Sequence, residues 1–142
     1  MRVKDVLTNK GDRVVTIRPE ASCRDLLGIL AQHNIGAAVV SPDGAAIDGI
    51  VSERDVVRSL HERGAAVLDG PVLAITTRQV ETCDPDDPLD ELRETMTTRR
   101  IRHIPVVSDG RLVGIVSIGD VVKSTISELQ TERQQLIDYV QG

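Results

Sequence analysis

The chain has 142 residues, the size of one compact domain or of two small subdomains that share a core. It contains no Phe, no Trp and a single Tyr, and its formal net charge is −5. That composition excludes an aromatic platform for single-stranded nucleic acid and an electrostatic grip on a phosphate backbone. The basic N-terminus is not followed by an apolar run and no stretch of eighteen apolar residues occurs, so neither a secretory signal nor a membrane span is expected. Cys23 and Cys83 have no Cys-x-x-Cys partner and read as small core residues in a reducing, cytoplasmic compartment.

Taken in order, Val3 to Thr8 reads as a short helical lead-in. Val14 to Ile17 is a β-branched run ended by Pro19, which predicts a strand. Ser22 caps a helix through His33, with Leu26, Leu27 and Leu30 on one stripe. Ala37 to Ser41 and Ile47 to Val51 predict strands around a Pro42-Asp43-Gly44 turn, and Ser52 opens a helix stopped near Gly64. Val72 to Thr76 is a second lead-in. Val80 to Cys83 is then expected as a strand, Pro88 to Arg99 as a helix, and Ile104 to Val107 and Leu112 to Val116 as an antiparallel hairpin about Asp109-Gly110. A helix begins at Ser117. From Thr125 to Gln141 a tail places Ile126, Leu129, Leu136, Ile137 and Val140 on one face near heptad spacing, interrupted by Arg133.

The order strand, helix, strand, strand, helix thus occurs twice, and the residues repeat with it. Gly49-Ile50-Val51-Ser52-Glu53-Arg54-Asp55 returns as Gly114-Ile115-Val116-Ser117-Ile118-Gly119-Asp120. Ile35 to Val40 aligns with Ile101 to Val106, and Thr16 to Pro19 with Thr82 to Pro85. Two units folded alike and packed on each other are expected, since each alone is marginal in size. The division is residues 1–64, 65–125 and a helical tail 126–142.

Ser-x-x-Asp alone has a bland reading, because Ser22-Cys23-Arg24-Asp25 shares it and a Ser and an Asp suit any helix start. After Gly-Ile-Val, however, the pair stands where a buried strand meets a helix N-terminus. Free backbone N–H groups there suit a phosphate, and the carboxylate suits a vicinal diol such as ribose. His33, His61 and His103 lack neighbours at metal-ligand spacing, so no metal is expected.

The duplicated unit with Gly-Ile-Val-Ser-x-x-Asp, and with His103-Ile104-Pro105-Val106-Val107 before the turn, resembles a tandem pair of cystathionine-β-synthase-type (CBS) domains over roughly residues 1 to 125. The resemblance implies an α/β (α+β) fold of two βαββα repeats packed through their sheets about a pseudo-twofold axis. It implies a stand-alone regulatory module sensing energy or redox state, and no enzymatic activity. It requires no cofactor, and its ligand would be AMP, ADP, ATP or NAD(H). A homodimer and a regulated partner protein are also implied. Carried over, Asp55 and Asp120 hold ribose, and Ser52 and Ser117 contact ribose or phosphate. The Asp55 cleft would add Arg54, Thr76, Ile101, Arg102 and His103, the last as a phosphate contact or a structural donor. The Asp120 cleft would add Thr8, Ile35, Gly36 and Ala37. Arg54, Arg102 and His103 concentrate phosphate-binding groups at the Asp55 cleft. The alternative is a structural dimerisation module with empty clefts.

Overall fold

In the computed structural model, which describes residues 1–11 and 14–142, the chain forms an α+β fold. Its first part runs α1 (Val3–Lys10), β1 (Thr16–Ile17), α2 (Cys23–His33), β2 (Ala37–Val40), β3 (Gly49–Ser52) and α3 (Glu53–Arg63). Two 3-10 turns, Ala65–Asp69 and Val72–Ile75, lead to α4 (Leu89–Arg99), β4 (His103–Ser108), β5 (Arg111–Ser117) and α5 (Ile118–Gln141). Ser22 starts α2 by accepting the Asp25 N–H at 3.0 Å, a side-chain cap for a free helix donor. At the β4–β5 turn Asp109 and Gly110 both have positive φ, 52° and 76°, the conformation a tight hairpin demands.

The first sheet is ordered β1-β2-β3, with β1 parallel and β3 antiparallel to β2. The second has only the antiparallel pair β4-β5. The strand expected over Val80 to Cys83 is reduced to one bridge from Cys83 to Val106. Pro105 explains the loss. In the first unit the Val39 N–H donates to the Val15 carbonyl and Ser41 N–H to Ile17. The second unit keeps the Val107 N–H to Cys83 bond at 2.8 Å, but at the position of Val39 it has Pro105, with no N–H to offer Glu81.

Two hydrophobic clusters divide the core, and they cross the repeat boundary. Leu26, Leu30, Val40, Val51 and Val56 gather with Val67, Val72 and Ile75 from the connecting segment. Leu89, Leu92, Met96, Ile104 and Val116 gather with Val3 and Val6 from α1. Matching backbone bonds anchor each lead-in: Val72 N–H to Ala21 and Cys23 N–H to Gly70 in one unit, Val3 N–H to Asp87 and Leu89 N–H to Met1 in the other. Each unit therefore receives its lead-in from the chain preceding the other. Cys23 and Cys83 are both free and buried, at positions where the other repeat has Leu89 and Ile17.

All four residues of β2 are buried. Side chains alternate along a strand, so Ala38 and Val40 enter the first cluster while Ala37 and Val39 face the other way and are covered there. A bond from the Leu112 N–H to the Ala45 carbonyl, 2.9 Å, ties the units directly. The motif glycines are the close-approach points. A Cβ on Gly49 would stand 2.3 Å from Thr76 Cγ2 and 2.5 Å from the Thr77 carbonyl oxygen. One on Gly114 would stand 2.6 Å from Leu7 Cδ2.

Candidate functional site

Ser52 and Asp55 form a closed pair at the start of α3. The Ser52 N–H and hydroxyl donate to Asp55 Oδ2 at 2.8 and 3.0 Å, and the Asp55 N–H donates to Ser52 Oγ at 3.3 Å. Arg58, one turn on, donates to the other carboxylate oxygen, Oδ1, at 3.1 Å. Asp55 is 8% exposed, whereas the Arg58 side chain is 62% exposed. A carboxylate accepts about four hydrogen bonds. Asp55 therefore keeps acceptor capacity on Oδ1, and an incoming hydroxyl can also displace the exposed Arg58 at little cost.

These residues border a cleft of about 310 Å³, within the usual size range of ligand sites. The first unit contributes Gly36, Ala37, Ile50, Ser52, Arg54 and Asp55, and the second contributes Arg100, Ile101, Arg102 and His103. Thr77, Gln79, Val80 and Glu81 close the wall between them. Ile50, Val80 and Ile101 supply apolar surface, and Arg54, Arg58, Arg100 and Arg102 supply positive charge against Glu53, Asp55 and Glu81. Burial pushes the His103 imidazole below its ordinary value and the Lys10 ammonium adds to this, outweighing Asp120 and Glu53. These surroundings favour the neutral form of His103.

The structure gathers Ser52, Arg54, Asp55, Ile101, Arg102 and His103 at this cleft. Thr76 is turned away, its hydroxyl donating to the Val72 carbonyl at 2.8 Å, and Thr77 lines the wall instead. Thr77 is placed by reciprocal backbone bonds with Ile50, both 3.0 Å. Gly36 and Ala37, expected beside Asp120, border the Asp55 cleft because the β2–β3 register pairs Ala37 with Ser52. The sequence reading missed Arg58 and Arg100. The helical spacing of Arg58 from Asp55 was a usable signal; Arg100 is presented by a positive φ of 54° where α4 ends, which the sequence did not announce.

Asp120 has a different environment. Its Oδ2 accepts the Ser117 N–H at 2.9 Å and the Lys10 ammonium at 2.7 Å, and Lys10 also donates to the Ile115 carbonyl at 2.8 Å. Partial burial pushes the Asp120 carboxyl up, but the hydrogen bonds from Lys10 and Ser117 outweigh it and hold the group below the usual carboxylate value. Asp120 borders a hollow with Asn9, Lys10, Lys123 and Ser124. Thr8 lies in a separate open hollow with Leu112 and Val113, and the Ile35 side chain packs on the first cluster. Thr8, Ile35, Gly36 and Ala37 thus border other surfaces than the hollow beside Asp120.

The CBS domain family profile matches this chain twice, over residues 3–62 and 72–126. The chain belongs to the CBS-domain family. A mitochondrial CBS domain-containing protein of Arabidopsis thaliana is 34% identical over 148 residues, covering 99% of this chain and 72% of that protein. The crystal structure of a CBS-domain containing protein from Agrobacterium tumefaciens is 44% identical, with a TM-score of 0.84 over 88% of this chain and 99% of that one. A CBS domain protein from Pyrobaculum aerophilum, complexed with AMP, is 31% identical, with a TM-score of 0.77 over 92% of this chain and 99% of that one. The two CBS units here carry equivalent Ser-x-x-Asp corners in unequal surroundings, one lined by arginines and one closed by Lys10. Among the described residues no helix is long and apolar enough to cross a membrane, and no cluster of three or more His, Cys, Asp or Glu is placed to hold a metal.

Proposed function

We propose that this CBS pair is a regulatory module, not an enzyme, that binds an adenosine nucleotide in the Asp55 cleft. The observation that carries the reading is the convergence, in one cleft, of an anchored carboxylate with spare acceptor capacity, an apolar wall and four arginines. Asp55 takes the ribose hydroxyls, Ile50, Val80 and Ile101 flank the base, and Arg54, Arg58, Arg102 and His103 meet the phosphates. The AMP held by the Pyrobaculum relative supports this ligand class. ADP, ATP and NAD(H) fit the same requirements, and the surplus of arginines favours the ligands richer in phosphate. The Asp120 site is the weaker one, because its hollow lacks the arginines of the Asp55 cleft and Lys10 already occupies Asp120 Oδ2. The two buried, free cysteines suit a reducing compartment such as the cytoplasm.

Both Ser-x-x-Asp corners are complete capping boxes, which favours a second reading in which they only begin helices and the pair serves as a structural dimerisation module. Calorimetric titration with AMP, ADP, ATP and NAD separates the two. Binding by at least one is expected, and Asp55→Asn should weaken it by about 1.5–3 kcal/mol, roughly ten- to a hundredfold in Kd. Asp120→Asn should weaken it less. Absence of heat with all four ligands would leave the structural reading.

A further inference from the structure

We propose that the projecting half of α5 is one strand of a parallel two-stranded coiled coil formed with a second copy of this chain. Val121 is 1% exposed and packs in the second core cluster, so the start of α5 is fixed to the fold. Beyond it Val122, Ile126, Leu129, Leu136 and Val140 are 51, 50, 59, 66 and 81% exposed. Together with Arg133 they follow one another at steps of four, three, four, three and four residues. That is the a/d seam of a heptad repeat, with Ile126, Arg133 and Val140 at a and Val122, Leu129 and Leu136 at d. A seam of that narrow kind matches another helix, not the broad face of a globular partner.

The occupant is specified by residue type. β-branched Ile126 and Val140 at a, with Leu129 and Leu136 at d, favour two parallel strands over higher assemblies. Arg133 is the one polar seam residue, and Glu132 precedes it at a g position. In a parallel, in-register pair each Arg133 lies beside Glu132 of the second copy, so this pairing answers the charge that interrupts the seam. Ile137 at e and Tyr139 at g widen the apolar strip at the same end. The pairing rests on this helix alone and stands or falls independently of the nucleotide cleft.

Single-cysteine variants of the full-length protein test it, since positions 129 to 140 are at the surface apart from half-buried Ile137, and the native cysteines are buried. Under mild oxidation Leu136→Cys, at a seam position, should form disulfide-linked dimers at least tenfold faster than Asp138→Cys, which points outward. Three results would overturn the proposal. One is the absence of linked dimer from Leu136→Cys, and another is equal rates at 136 and 138. The third is a mixture of Leu129→Cys and Leu136→Cys chains that cross-link to each other faster than to themselves, the signature of antiparallel strands.

Discussion

The glycine of each Gly-Ile-Val-Ser string is a packing requirement, and the two copies meet different obstacles. At Gly49 an added methyl would press on the Thr77 carbonyl and on Thr76, whereas at Gly114 it meets the flexible end of Leu7. Gly49→Ala should therefore cost about 1–3 kcal/mol, and Gly114→Ala markedly less. Chemical denaturation of the two variants checks this, and equal losses would contradict it. Lys10 and Asp120 make the second residue-scale case. Because the folded-state pKa of Asp120 is lowered from 3.8, its contribution to stability is full above that value. It is lost as pH falls through the folded value. Lys10→Met should raise the Asp120 midpoint, read by NMR of the side-chain carboxyl, and should remove that share of acid sensitivity. An unmoved midpoint would contradict the ion pair. Ser52, Asp55, Ser117 and Asp120 were legible in the sequence because the strand-to-helix junction repeats in both units. Lys10 was not, since it reaches Asp120 across 110 residues and no local pattern encodes that pairing.

At the level of elements, helices and the hairpin followed directly from apolar spacing, Ser caps and the Asp-Gly turn. What the sequence concealed was where α1 and the 3-10 turns would dock. Their apolar residues announce only that they need a core; the choice of core depends on chain crossings that periodicity does not record. Pro105 likewise suppressed a strand whose β-branched composition was favourable, through a donor missing on the neighbouring strand. Since Val3 and Val6 are buried in the second cluster, deletion of residues 1–10 should loosen the second unit more than the first, although the deleted segment adjoins the first in sequence. Hydrogen exchange should show early loss of protection in β4, β5 and α4, with α2 and β2 retained longer. The opposite order would contradict the crossed packing. Fusion of the tail with the last repeat helix into one 24-residue α5 was also hidden, because the sequence separates them only by a change of pattern near Thr125.

For the whole molecule, duplication produces two like units, and their differences determine how each corner can act. Arg54 replaces the small Gly119, Arg102 stands where the first unit has Gly36, and Lys10 closes the second corner. A nucleotide should thus bind first at Asp55. At ligand a hundredfold above Kd the linkage stabilises the folded chain by about 2.7 kcal/mol per site. The most direct measurement is an amide NMR titration of the full-length protein with ADP. Saturable shifts should appear at Ser52 to Arg58, Thr77 to Glu81 and Arg100 to His103, with Ser117 to Asp120 responding only at higher ligand. Shifts centred on Asp120, or none anywhere at millimolar ADP, would contradict nucleotide binding led by the Asp55 cleft.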